Sequence, residues 1–199
     1  MLKVSRRYHS PIRNIDSFFN SLKLHGNLLV YIDQIVDPQN LGSIIKSCIY
    51  FGVDHLVVNK SNKIPLSPAL AYVSNGGSES IKIESVEDVV GFFEKSKKLN
   101  YKILTTFLNE DSNKSNQNHK SNSSQSLKSV NLLDLNETDN VILVLGSEDI
   151  GITELIKKYS TDNIKIDSFS NNLDLLDSLN VGISAGILID IISSKLKKI

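Results

Sequence analysis

The sequence predicts an α/β fold with a mainly parallel sheet flanked by helices. Two observations carry the prediction. Apolar runs of strand length recur at residues 28–32 (LLVYI), 55–59 (HLVVN), 101–107 (YKILTTF) and 141–146 (VILVLG), and continuous rather than alternating apolarity is what a strand covered on both faces requires. Stretches with helical apolar spacing lie between them, so strands and helices alternate along the chain.

Taken in order, residues 15–24 suit a short amphipathic helix with Ile15, Phe18, Phe19 and Leu22 on one face. The first strand ends at Asp33, and DPQN turns the chain into a helix that has Asn40 as its expected N-cap. Ile44, Ile45, Cys48, Ile49 and Phe51 give that helix its apolar spacing, and Gly52 ends it. After the second strand, Pro65 and Pro68 bracket a turn, residues 69–73 make about two helical turns, and Gly76-Gly77 stop them. Residues 81–83 form a weak strand. Ser85 with Asp88 resembles a capping box for a helix reaching about Leu99. Beyond VILVLG come a helix at about 153–159, a strand at 163–166 and a final helix at about 179–195.

From residue 109 to about 129–131 the chain is almost devoid of apolar side chains. It cannot bury enough surface to offset its ordering entropy, so it reads as a disordered insertion, and His119 within it is not a catalytic candidate. The organisation is therefore a basic arm or short helix at 1–27 and one domain at 28–199 that carries the insertion.

A chain of 199 residues is long enough for a substantial core, and 40% hydrophobic with 22% charged residues fits a globular class. Lys+Arg 22 against Asp+Glu 22 neither demands nor excludes a nucleic-acid partner. The single cysteine, Cys48, excludes an internal disulfide and a multi-cysteine metal site, and its apolar helical setting marks it as a core thiol. No apolar run reaches the length of a membrane span. Lys3, Arg6, Arg7 and Arg13, with Ser5 and Ser10 and no acid before Asp16, have the bias of an organelle transit segment, or equally of a solvated arm that touches phosphates.

Three strand-to-helix turns stand out: DPQNLG at 37–42, LGSEDIG at 145–151 and SLNV at 178–181 followed by AGI at 185–187. Such turns expose backbone amides and polar side chains to a ligand, and three in one short chain suggest one composite site. Neither G-x-G-x-x-G nor G-x-x-x-x-G-K-[ST] accompanies the first strand, which removes the two commonest ligands of such a sheet.

In order and character these turns resemble the three motifs of the SpoU/TrmH family of RNA ribose 2′-O-methyltransferases, members of the SPOUT superfamily. The segment NKSNKIPLSPALAYVSNGGSE at 59–79 also looks like the mitochondrial large-subunit rRNA branch. The resemblance implies S-adenosylmethionine as methyl donor, rRNA as substrate, a C-terminal trefoil knot, a homodimer with a shared active site, and neither a metal nor a membrane. It places the cofactor against Leu145, Gly146, Ile166 and Leu179, and gathers Asn40, Lys46, Glu148, Ser178 and Asn180 around the reacting ribose. Mitochondrial location follows from the same branch, with the cytoplasm as the alternative.

Alone, Asn40 is a helix cap, Glu148 a loop charge, Ser178 and Asn180 a capping pair, and Lys46 an exposed helical lysine. His55 and Tyr50 are structural, with nothing to pair with. Three departures from the family pattern concern activity: Lys46 stands where Arg is usual, Asp149 where Gly is usual, and Asp167 where Pro is usual. They motivate a second reading, a non-catalytic RNA-binding or ribosome-assembly factor on the same fold. A tRNA ribose methyltransferase is the alternative within the enzyme class.

Overall fold

The computed structural model describes residues 10–22, 25–53, 55–61, 67–106, 127–147, 149–169 and 179–197. Among the described residues eight strands form one sheet in the order β1-β4-β3-β2-β7-β5-β8-β6, and every neighbouring pair is parallel. They are β1 (Ser10–Pro11), β2 (Leu28–Asp33), β3 (His55–Asn59), β4 (Lys82–Val86), β5 (Lys102–Thr106), β6 (Leu127–Ser129), β7 (Val141–Gly146) and β8 (Asp162–Lys165). The helices are α1 (Ile15–Asn20), α2 (Pro38–Tyr50), α3 (Pro68–Val73), α4 (Val89–Lys98), α5 (Glu154–Lys157) and α6 (Val181–Lys197).

Successive side chains on a strand point to opposite faces, so each apolar run feeds two cores. On β2, Val30 and Ile32 join Leu143 and Leu145 of β7 under α2 and α6, with Leu41, Ile44, Cys48, Ala185 and Ile189. On the other face Leu29, Tyr31, Ile142 and Val144 meet Phe18, Phe19, Phe92 and Phe93 of α1 and α4 and Ile156 of α5. Cys48 is fully buried, and desolvation raises its thiol pKa, as the core reading requires.

Several local expectations need correction. The N-cap of α2 is Asp37, whose side chain accepts from Asn40 N at 2.9 Å, and Pro38 is at the first helical position. Both Asp and Asn are good caps, but a proline fits at the start of a helix, where its missing N–H has no partner to lose. Asn40 is therefore freed from capping. Ser85 lies in β4, and Asp88 alone caps α4 by accepting from Gly91 N at 2.9 Å. The polar stretch ends earlier than expected, because Leu127–Ser129 pairs with β8 and Val130–Leu132 forms a 3-10 turn; residues 109–126 lie outside the described set. Ile49 is 40% exposed rather than core. His55 is paired after all, its Nδ1 lying 2.7 Å from Glu84 Oε2 with Phe18 edge-on at 5.7 Å, which keeps it structural.

Residues 10–22 are part of the fold. β1 extends the sheet along β4, Asn14 caps α1, and Phe18 and Phe19 are buried beneath α4. Residues 1–9 are outside the described set. The knot implied for the C-terminal part falls partly on residues 170–178, which are also outside it.

Candidate active site

Strands β2 and β7 are neighbours at the centre of the sheet, with Asp33 opposite Gly146 at their carboxyl ends. From β2 the chain continues to β3 on one side. From β7 it continues to β8, beyond β5 on the other side. A crevice where the connections part in this way is where open α/β sheets bind ligands, and two of the three motif turns start here.

Asp33 fastens those two turns together. It is 2% exposed, and its Oδ2 accepts from Thr153 N at 2.7 Å, at the start of α5. Burial raises its carboxyl pKa, and the hydrogen bonds from Thr153 only partly offset this. The folded carboxyl thus titrates above the unfolded one. Its contribution favours folding below the unfolded pKa and is lost as pH rises through the folded value. Asp33→Asn keeps an acceptor for Thr153 N and removes the buried charge, so urea unfolding above that pH should show unchanged or increased stability. Asp33→Ala removes the acceptor and should cost about 1–3 kcal/mol.

Gly146 ends β7 in a tight turn in which Ser147 bridges to Gly151. Ser147 Oγ accepts from Ile150 N at 3.1 Å, and Gly151 has φ 72°, the left-handed region natural to glycine. A Cβ on Gly146 would lie 2.5 Å from the Gly151 carbonyl carbon and 2.7 Å from Ile152 N. Both are backbone atoms, so only glycine fits.

The third turn docks on the first. Asn180 Oδ1 accepts from Gly182 N at 2.9 Å and begins α6. That bond orients the amide, leaving Nδ2 to donate to Asn40 Oδ1 at 2.9 Å. The network thus fixes both amides and leaves Asn40 presenting its Nδ2 donor. Below this pair α2 and α6 approach closely through small residues. A Cβ on Gly182 would meet Ser43 Cβ at 2.9 Å, and one on Gly186 would be 3.3 Å from Ser47 Oγ.

Of the predicted site residues, Asn40 and Asn180 are therefore in direct contact, across 140 positions of sequence. Gly146 sits at the adjoining strand end, and the Leu145 side chain is buried in the core. Ile166 is half-buried one residue beyond β8, and Leu179 is 47% exposed ahead of α6. Lys46 is exposed on α2, six residues or about 9 Å along the helix from Asn40. Glu148 and Ser178 lie outside the described residues. Asp149 is exposed, and Asp167 accepts from Ser129 Oγ, tying the ends of β8 and β6 together. Lys195 Nζ donates to the carbonyls of Asn131 and Leu133, and Lys197 Nζ to that of Phe51, so these lysines serve the fold.

The sequence reading missed Asp33. Its signal was a carboxylate closing an otherwise apolar strand. Among the described residues no three His, Cys, Asp or Glu side chains gather as a metal site, and no helix is long and apolar enough to cross a membrane.

The profile of the SpoU rRNA Methylase family matches residues 27–190. The chain belongs to the SpoU family. It is 31% identical over 162 residues to rRNA methyltransferase 1, mitochondrial, of Dictyostelium discoideum, covering 81% of this chain and 28% of that protein. To the protein of the same name in Saccharomyces cerevisiae it is 32% identical over 171 residues, covering 81% and 40%. The SpoU domain described here thus spans well under half the length of these two curated relatives. The fold matches the AdoMet-bound rRNA methyltransferase structure from Sinorhizobium meliloti with a TM-score of 0.70 at 19% identity, covering 94% of this chain and 60% of that one.

Proposed function

We propose that this chain transfers a methyl group from S-adenosylmethionine to a ribose 2′-hydroxyl of large-subunit rRNA, in mitochondria, as a homodimer. The observation that carries the reading is the Asn40–Asn180 hydrogen bond, which joins the first and third SpoU motifs, while the second starts at Gly146, opposite the strand end that leads into the first. Family membership and relatives named as mitochondrial rRNA methyltransferases support the chemistry and the compartment.

The residues fit the cofactor. Gly146 ends β7 in a backbone turn closed by the Ser147–Gly151 bridge, and Ile166 and Leu179 offer apolar surface, the combination that a flat purine with polar edges requires. When bound, S-adenosylmethionine supplies an electrophilic sulfonium methyl. The chain's own task is to position the ribose and accept its proton as the hydroxyl attacks. Asn40 Nδ2 holds a ribose oxygen, Asn180 fixes Asn40, and Lys46 offers a cation to the RNA phosphates. Glu148 and Ser178 are assigned to the same site by their motif positions, Glu148 as proton acceptor.

The dimer reading is supported by exposed apolar side chains around the motif turns: Val36 after β2, Ile150 after β7, and Leu179 and Ile183 at the start of α6. Isothermal titration calorimetry separates the enzyme from a non-catalytic RNA-binding factor of the same fold. Saturable binding of S-adenosylmethionine with micromolar affinity is expected. No heat at millimolar cofactor would leave only the non-catalytic reading.

A further inference from the structure

Away from the motif turns, a cleft of about 580 Å³ lies between the C-terminal half of α2 and the turn that follows α3. Its lining includes Lys46, Tyr50, Phe51, Asn75 and Ser80 and contains no carboxylate. Tyr50 is 83% exposed. It is held from behind by Phe51, edge-on at 5.1 Å and 85°, which is itself packed against the core. Lys46 stands one helical turn before Tyr50 and so shares its face of α2.

An exposed, backed aromatic ring one turn from an exposed lysine, with polar side chains on the opposite wall and no acid among them, matches one kind of ligand. It is a planar ring that carries a phosphate. Stacking on the aromatic face suits any nucleobase, and the ammonium suits the adjoining phosphodiester. A purely apolar occupant would bury Lys46 without a counter-charge. Being about 9 Å along α2 from Asn40, the cleft is placed for a nucleotide other than the one held by the asparagine pair.

We propose that this cleft holds an unpaired nucleobase of the RNA strand stacked on Tyr50, with its phosphate paired to Lys46, so that it selects a single-stranded neighbour of the reacting nucleotide. This rests on the functional reading above.

The test is fluorescence anisotropy of a labelled, mixed-sequence single-stranded RNA dodecamer with the full chain and its Tyr50→Ala and Tyr50→Phe variants. Stacking on one aromatic ring corresponds to a loss of about tenfold in affinity for Tyr50→Ala, while Tyr50→Phe should stay within about twofold of the parent. Cofactor affinity, read by calorimetry, should not change in either variant. Equal RNA affinity in Tyr50→Ala and the parent would overturn the cleft proposal alone. So would a change in sedimentation on Tyr50→Ala, since the surface would then belong to a second copy. A parent chain that binds cofactor but no RNA would overturn both the cleft and the RNA reading.

Discussion

Gly146→Ala is expected to remove cofactor binding and to destabilise the fold by about 3 kcal/mol, the upper end of the cost of overpacking. The added Cβ would come within 2.7 Å of three atoms, Gly151 C, Gly151 O and Ile152 N. All three are backbone atoms fixed by the Ser147–Gly151 bridge and by the bond from Thr153 to Asp33, so no side chain can swing away. The turn must open, and a displacement on the order of 1 Å at a positioning element costs roughly a hundredfold. Gly76→Ala is the control. Gly76 also has positive φ, at 77°, but a Cβ there meets nothing within 4 Å. Only its backbone strain should register, about 1–2 kcal/mol in thermal or urea unfolding, with cofactor affinity unchanged in calorimetry.

Asn40→Ala and Asn180→Ala should each lower the rate of methyl transfer roughly a hundredfold while leaving cofactor affinity within about twofold. The two amides act as one unit, because the bond from Asn180 to Gly182 N sets which atom faces Asn40. Their effects should therefore not add. The double variant should be no more than about threefold slower than the worse single variant, whereas independent residues would multiply to roughly ten-thousandfold. Asn180→Asp is a sharper probe. It keeps an oxygen for Gly182 N but turns an oxygen rather than an amine toward Asn40, so it should be as slow as Asn180→Ala even though the helix start is retained.

The interior strands could be read from the sequence because parallel strands buried on both faces have no polar side to obscure them. Residues 28–32, 55–59 and 141–146 were correct to within a residue. The edge of the sheet was harder. β1 and β6 hold two and three residues and owe their strand state to pairing with β4 and β8, which local composition does not reveal. The start of α2 was misassigned because Asp37 and Asn40 are both capping types, and the proline between them settles the choice. The helical reading of Tyr50 gave no hint of the cleft, since the opposite wall comes from residues 74–80, distant in sequence. Asp33 and Thr153 meet across 120 positions, which is likewise a property of the sheet order and not of either segment.

Proposed ribose methylation rests most directly on a map of 2′-O-methyl groups across the rRNA of cells with and without this protein, together with transfer of labelled methyl by the purified chain. One or a few large-subunit rRNA positions should lose their methyl group without the protein. They should regain it with the parent chain and fail to with Asn40→Ala. Identical maps in the two cell lines, with no label transferred by the purified chain to rRNA or tRNA, would contradict it.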